Sequence, residues 1–66
     1  LLHRAISKLK PEYRQVLWLT YFEKLSNKQT ASIMKKTVHN IETLVHRARK
    51  ALKTQLEMEG FEYEEL

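Results

Sequence analysis

Leu2, Ala5, Ile6 and Leu9 repeat at the i, i+3, i+4, i+7 spacing that predicts an amphipathic helix at the start of the chain. Lys10-Pro11 ends it: the residue before a proline is pushed out of the α region, and Pro11 suits the first turn of a new helix. Glu12 complements the dipole of that new N-terminus. The second helix, about 11–24, is patterned differently. Tyr13, Val16, Leu17, Trp18, Leu19, Tyr21 and Phe22 point nearly all the way round it. A helix apolar on every side is normally buried on every side, and a chain of 66 residues cannot wrap one completely. The first helix can cover part of the surplus; Trp18 and Phe22 are candidates for a partner-facing surface.

Ser26-Asn27-Lys28-Gln29 reads as a capping box opening a short third helix with Ala31, Ile33 and Met34 as its apolar residues. Lys35-Lys36-Thr37 follows as a turn, and Thr37 is a good N-cap for a fourth helix over about 38–58. Here the pattern is cleanest. Val38, Ile41, Leu44, Val45, Ala48, Ala51, Leu52 and Leu56 share one arc of about 140°, with only Gln55 intruding. The rest of the circumference is polar and mostly basic. Gly60 suits the left-handed terminator of such a helix. No segment alternates with period two, so the expected class is all-α: a small four-helix domain.

Composition narrows the picture. With one Gly and one Pro, turns are few; with no Cys, disulfides, thiolate zinc sites and thiol nucleophiles drop out together. No apolar run approaches the roughly 18 residues of a membrane span, so a cytoplasmic setting is expected. A core of this size supplies about 3–5 kcal/mol, which leaves little room for a catalytic cavity, and an enzyme is not expected. Leu1 is not an initiator methionine and the helical pattern is already running there, so the chain reads as part of a longer one. Charge is placed unevenly. Residues 1–56 carry twelve bases against three acids, a net +9, whereas the last ten residues carry five acids and no base. A body that basic attracts polyanions, nucleic acid first among them. A solvated lysine-rich surface is the plainer alternative.

A short helix, a three-residue turn and a longer helix with an apolar back form a helix-turn-helix, a pattern many plain bundles share. On duplex DNA the first helix of the pair crosses a phosphate backbone, and the second enters the major groove with its N-terminal residues at base edges. That arrangement predicts phosphate contacts from Ser26, Asn27, Lys28 and Gln29, from Lys35, Lys36 and Thr37 at the groove mouth, and from Arg47, Lys50 and Lys53. It predicts base contacts from His39, Asn40, Glu42, Thr43 and His46. Several of these side chains have the chemistry that base edges need. Asn bonds adenine in a bidentate way, Glu accepts from the cytosine amino group, and Thr touches the thymine methyl.

Three segments point to a family. Lys8-Leu9-Lys10-Pro11-Glu12-Tyr13-Arg14-Gln15-Val16-Leu17 resembles the opening of region 4 in bacterial extracytoplasmic-function sigma factors. Tyr21-Phe22-Glu23-Lys24-Leu25-Ser26 is similar to the family's link into the helix-turn-helix, and His46-Arg47-Ala48-Arg49-Lys50-Ala51-Leu52 to the stretch closing its recognition helix. The likeness covers roughly residues 2–56. It implies the C-terminal domain of a sigma factor, binding the −35 element of double-stranded promoter DNA and docking on the flap tip of the RNA polymerase β subunit, with an anti-sigma factor as a further partner. Three departures stand out. Many relatives carry Gly where this chain has Lys35, a basic residue where it has Glu42, and Arg where it has Leu44. Lys35 must then accept a conformation that favours glycine, and Leu44, at the edge of the apolar arc, packs. Glu42 is either a surface acid facing His39 and His46 or a reader of cytosine.

Two rivals stay open: a response-regulator-type helix-turn-helix effector domain, which Leu25-Ser26-Asn27-Lys28 also resembles, and a helical protein-interaction module without DNA binding. No cofactor or metal is expected. His39 and His46, two turns or roughly 10 Å apart, are too distant to share one ion. The expected division is a domain over 1–59 and an acidic tail over 60–66. The tail's aromatics, Phe61 and Tyr63, either lean on the body or leave an acidic strip that screens the basic face.

Overall fold

The computed structural model describes residues 2–60. They form α1 (Leu2–Ser7), α2 (Pro11–Leu17, continued by a π-wound turn over Trp18–Phe22), α3 (Asn27–Met34) and α4 (Val38–Met58). The all-α class expected from the periodicity is the one observed. Helix α4, at about 1.5 Å per residue, runs most of the length of a 35 × 19 × 18 Å domain, and α1, α2 and α3 all pack against it.

The apolar arc of α4 is the keel of the core. Ile41, Leu44, Ala48, Leu52 and Leu56 are buried on it, against Ala5 and Ile6 of α1, Val16 and Leu17 of α2 and Ala31 of α3. Leu44 packs, as its place on the arc requires. Val38 differs: it lies in the first turn of α4 and is exposed. Gln55, the polar intruder, is half-buried and spends its amide on a hydrogen bond to the Glu59 carboxylate at 3.0 Å.

Three boundaries and faces depart from the periodicity. Helix α1 stops at Ser7, where the serine hydroxyl donates to the Arg4 carbonyl at 2.7 Å. Helix α2 is α-helical only to Leu17 and ends at Phe22. Its last turn is widened, with the Glu23 N–H donating to the Trp18 carbonyl at 3.1 Å, five residues back. The Thr20 hydroxyl bonds the Val16 carbonyl at 2.7 Å, a back-bond that loosens the α ladder at that point. In α3 the buried positions are Thr30 and Ala31, whereas Ile33 is 52% exposed. Position 30 falls on the α4-facing stripe with 31 and 34, and position 33 falls off it. The Thr30 hydroxyl has no hydrogen-bond partner among the described residues.

The far end of α4 is tied to α1. Glu59 sits 3.8 Å from the Lys8 ammonium and 4.0 Å from Arg4 Nε. The hydrogen bond from Gln55 and then the two cations hold its carboxyl below the usual glutamate range. Gly60, at φ +80°, ends the helix as expected, its N–H donating to the Glu57 carbonyl at 3.1 Å. The rest of the acidic tail, 61–66, lies outside the described residues.

Candidate nucleic-acid interface

The helix-turn-helix is built from caps. Ser26 opens α3 with a reciprocal pair of bonds: the Gln29 N–H donates to Ser26 Oγ at 3.1 Å, and the Ser26 N–H donates to Gln29 Oε1 at 3.0 Å. At the other end Lys35 adopts the left-handed conformation, φ 57° and ψ 48°. The Lys36 N–H then reaches back to the Ala31 carbonyl at 2.9 Å, closing the turn. A lysine side chain in this region is less favourable than glycine by about 1 kcal/mol. Thr37 reverses the chain into α4, its Oγ1 accepting from the Asn40 N–H at 3.0 Å. The sequence signals for both N-caps are met in detail.

This frame leaves the outer surface of α4 open. His39, Asn40, Glu42, His46, Arg47, Lys50 and Lys53 are exposed, and Thr43 is half-buried. Ser26, Lys28, Gln29, Lys35, Lys36 and Thr37 are exposed along α3 and the turn, and Asn27 is half-buried. Ser26 and Thr37 use their hydroxyl oxygens as cap acceptors, and each keeps a hydroxyl hydrogen to donate. All fifteen residues expected from sequence to meet DNA therefore lie on α3, the turn and the polar side of α4.

They are not equivalent, however. Asn40, Thr43 and Arg47 share a groove of about 170 Å³ with Glu12 of α2 and Lys36 of the turn, over Leu44. The Lys36 ammonium lies 3.5 Å from the Glu12 carboxylate. His39, Glu42, His46 and Lys50 stand outside that groove. The pairing of Glu12 with Lys36 was not legible in the sequence, because 24 positions separate the two and only the fold brings them together.

A separate apolar cleft of about 470 Å³ lies between α1 and α2, lined by Trp18 with His3, Ile6, Pro11, Arg14 and Leu19. Phe22 lies behind it, half-buried, with ring centroids 4.6 Å from Trp18 and 4.8 Å from His3. His3, absent from the sequence expectations, is the edge-on ring that wedges this cluster. Among the described residues no group of three or more His, Cys, Asp and Glu side chains is arranged to hold a metal, and no helix is long and apolar enough to cross a membrane.

Comparison with known families gives a match to the family described as sigma-70, region 4, over residues 1–52. That span runs from α1 to beyond Lys50, so it takes in the whole helix-turn-helix and the α1–α2 cleft. No curated protein and no solved structure matches the chain. The match decides against the response-regulator alternative, and the family it names is one of DNA-binding domains rather than enzymes. With a capped helix-turn-helix, an open basic strip on its second helix and a match over most of its length, the chain belongs to the sigma-70 region 4 family, the DNA-binding domains through which sigma factors direct RNA polymerase to promoters.

Proposed function

We propose that this domain recognises the −35 element of a promoter as the C-terminal part of an extracytoplasmic-function sigma factor in the cytoplasm. Its α1–α2 cleft docks on the β-flap tip of RNA polymerase. The observation that carries the reading is the division of α4: one arc buried in the core, the opposite arc exposed and rich in bases and hydrogen-bonding groups. A helix anchored by one side and open on the other can enter the major groove without disturbing the fold. Lys28, Lys35, Lys50 and Lys53 supply charge for phosphates, and His39, Glu42 and His46 on the open side of α4 meet the bases. The exposed Trp18, in the cleft between α1 and α2, gives a protein partner an aromatic anchor. An anti-sigma factor would compete for one of these two surfaces.

Selection of bound duplexes from a random pool, followed by fluorescence anisotropy, tests the DNA half. The expected result is an enriched promoter-like sequence bound more tightly than random duplex, with affinity falling steeply as salt rises. Equal affinity for all duplexes at moderate salt would refute sequence reading. A pull-down with the β-flap tip tests the polymerase half, and a sigma domain that failed to retain it would be unexplained.

A further inference from the structure

The groove beside α4 has a composition of its own. Lys36 and Arg47 bring two positive charges and Glu12 one negative charge, so it holds one net positive charge. Asn40 and Thr43 add uncharged donors. Among the described residues the side chains of Asn40, Thr43 and Arg47 make no hydrogen bond or ion pair, so their donors are idle. Lys36 is held rather than loose: its ammonium is 3.5 Å from Glu12, and its side chain is 33% exposed. Thr37 caps Asn40 through the backbone, which fixes where the amide side chain starts.

A ligand that fits is a singly charged anion with several acceptor oxygens, reached from the DNA side of the domain. A backbone phosphodiester has that charge and those oxygens. A base edge suits the groove poorly, because its two cations, Lys36 and Arg47, match a charged phosphate rather than a neutral base, and Glu12 of α2 lines it opposite the open side of α4. His39, Glu42 and His46 stand outside it and have the open approach that base edges require.

We infer that the groove between the start of α2 and the first turns of α4 is the seat of a single DNA phosphodiester. Lys36 and Arg47 supply its charge, Asn40 and Thr43 donate hydrogen bonds to its oxygens, and Glu12 is a positioning residue that acts through Lys36. Asn40 and Thr43 thereby set the register of the domain on DNA, and sequence is read by His39, Glu42 and His46. The inference rests on the reading that α4 lies in the major groove.

The test uses a duplex that the chain itself selects from a random pool, remade as a series in which each phosphate in turn is replaced by a neutral methylphosphonate. Wild type, Lys36→Gln, Asn40→Ala and His46→Ala are compared by anisotropy, with circular dichroism to verify folding. On the unmodified duplex Lys36→Gln and Asn40→Ala each weaken binding roughly three- to tenfold. Both deficits vanish at the same one methylphosphonate position and persist at all others. Lys36→Gln also lowers the salt slope by about 0.9, one phosphate's worth of counterion release. A repeated selection returns the same bases for Asn40→Ala and altered bases for His46→Ala. The inference is overturned if Asn40→Ala changes the selected bases, or if its deficit and that of Lys36→Gln are additive with every methylphosphonate. Either result would leave DNA recognition standing. Failure of the wild-type chain to select any sequence would instead remove the major-groove reading, and the seat with it.

Discussion

The two exposed faces of this domain are made by different means. On the helix-turn-helix face, backbone ends are closed by side chains at fixed distances, Ser26 with Gln29 and Thr37 with the Asn40 N–H, and what is left outside is mostly polar, with Ile33 and Val38 the apolar exceptions. On the α1–α2 face, α2 opens without a side-chain N-cap and finishes in a π-wound turn, and large aromatic area is left outside, with Trp18 44% exposed and Tyr21 39%. Caps position donors to within hydrogen-bond tolerance, which a phosphate or a base edge demands. An apolar cleft needs only shape and exposed area, and it binds through burial, so it tolerates an irregular helix. The proposed function uses both kinds of recognition, and the two surfaces meet at α2, which lines the cleft through Pro11 and Arg14 and the groove through Glu12, with α4 as the common support.

The largest effect expected is the loss of both faces together. Ile41, fully buried under the first turns of α4, anchors the strip proposed to meet DNA. Ile41→Ala should destabilise the domain by about 2–5 kcal/mol, comparable to its whole stability. Urea unfolding and DNA affinity should fail in parallel. A variant that stayed folded and bound DNA normally would mean that the strip is supported elsewhere.

Trp18→Ala separates the faces. An aromatic anchor in a docking cleft contributes about 2 kcal/mol or more to binding, so affinity for the β-flap tip should fall by roughly thirtyfold. DNA affinity should stay within a factor of about two, since Trp18 neither lines the groove beside α4 nor takes part in the cap hydrogen bonds. Equal losses in both assays would show that the faces are coupled. Lys35→Gly sharpens the comparison in the opposite direction. Relieving the left-handed lysine should stabilise the domain by about 0.5–1 kcal/mol, or about 4 °C in a thermal melt. The cost would be one positive charge beside the DNA strip and a slightly smaller salt slope. An unchanged melting temperature would indicate that the turn carries no strain.

The smallest effect lies at the distal end of α4. Glu59 has a lowered carboxyl pKa in the folded state through Gln55, Lys8 and Arg4. Its stabilising contribution is therefore present above the ordinary glutamate value of about 4.3 and is lost as pH falls through the lowered folded value. Glu59→Gln should flatten that acid limb of the urea midpoint against pH, with little effect on either binding face at neutral pH. If the wild-type and Glu59→Gln curves superimpose down to acid pH, the tie to α1 contributes nothing.

The proposed recognition surface was mostly legible in the residues because its determinants are local. A capping box and an N-cap are written within four positions, and the α4 arc declares itself over six turns. What the periodicity misplaced involved competition between elements. Ile33 looks like a core residue from its type, but α3 is oriented by Ala31 against α4, so Thr30 is buried in its place. The π-wound turn at Trp18–Phe22 was invisible for a related reason: an all-round apolar segment carries no preferred face to betray a change of pitch.

The sequence alone determined the all-α class, the caps, the exposed basic strip and the family, since each rests on residue chemistry within a few turns of chain. Only the tertiary structure decided that Glu12 and Lys36 flank Asn40, Thr43 and Arg47, that His3 wedges Trp18 and Phe22, and that Glu59 closes on α1. Those contacts join residues from 15 to more than 50 positions apart. Their geometry follows from how three short helices settle on one long one, and helix packing is set by the summed shape of many side chains rather than by any local motif.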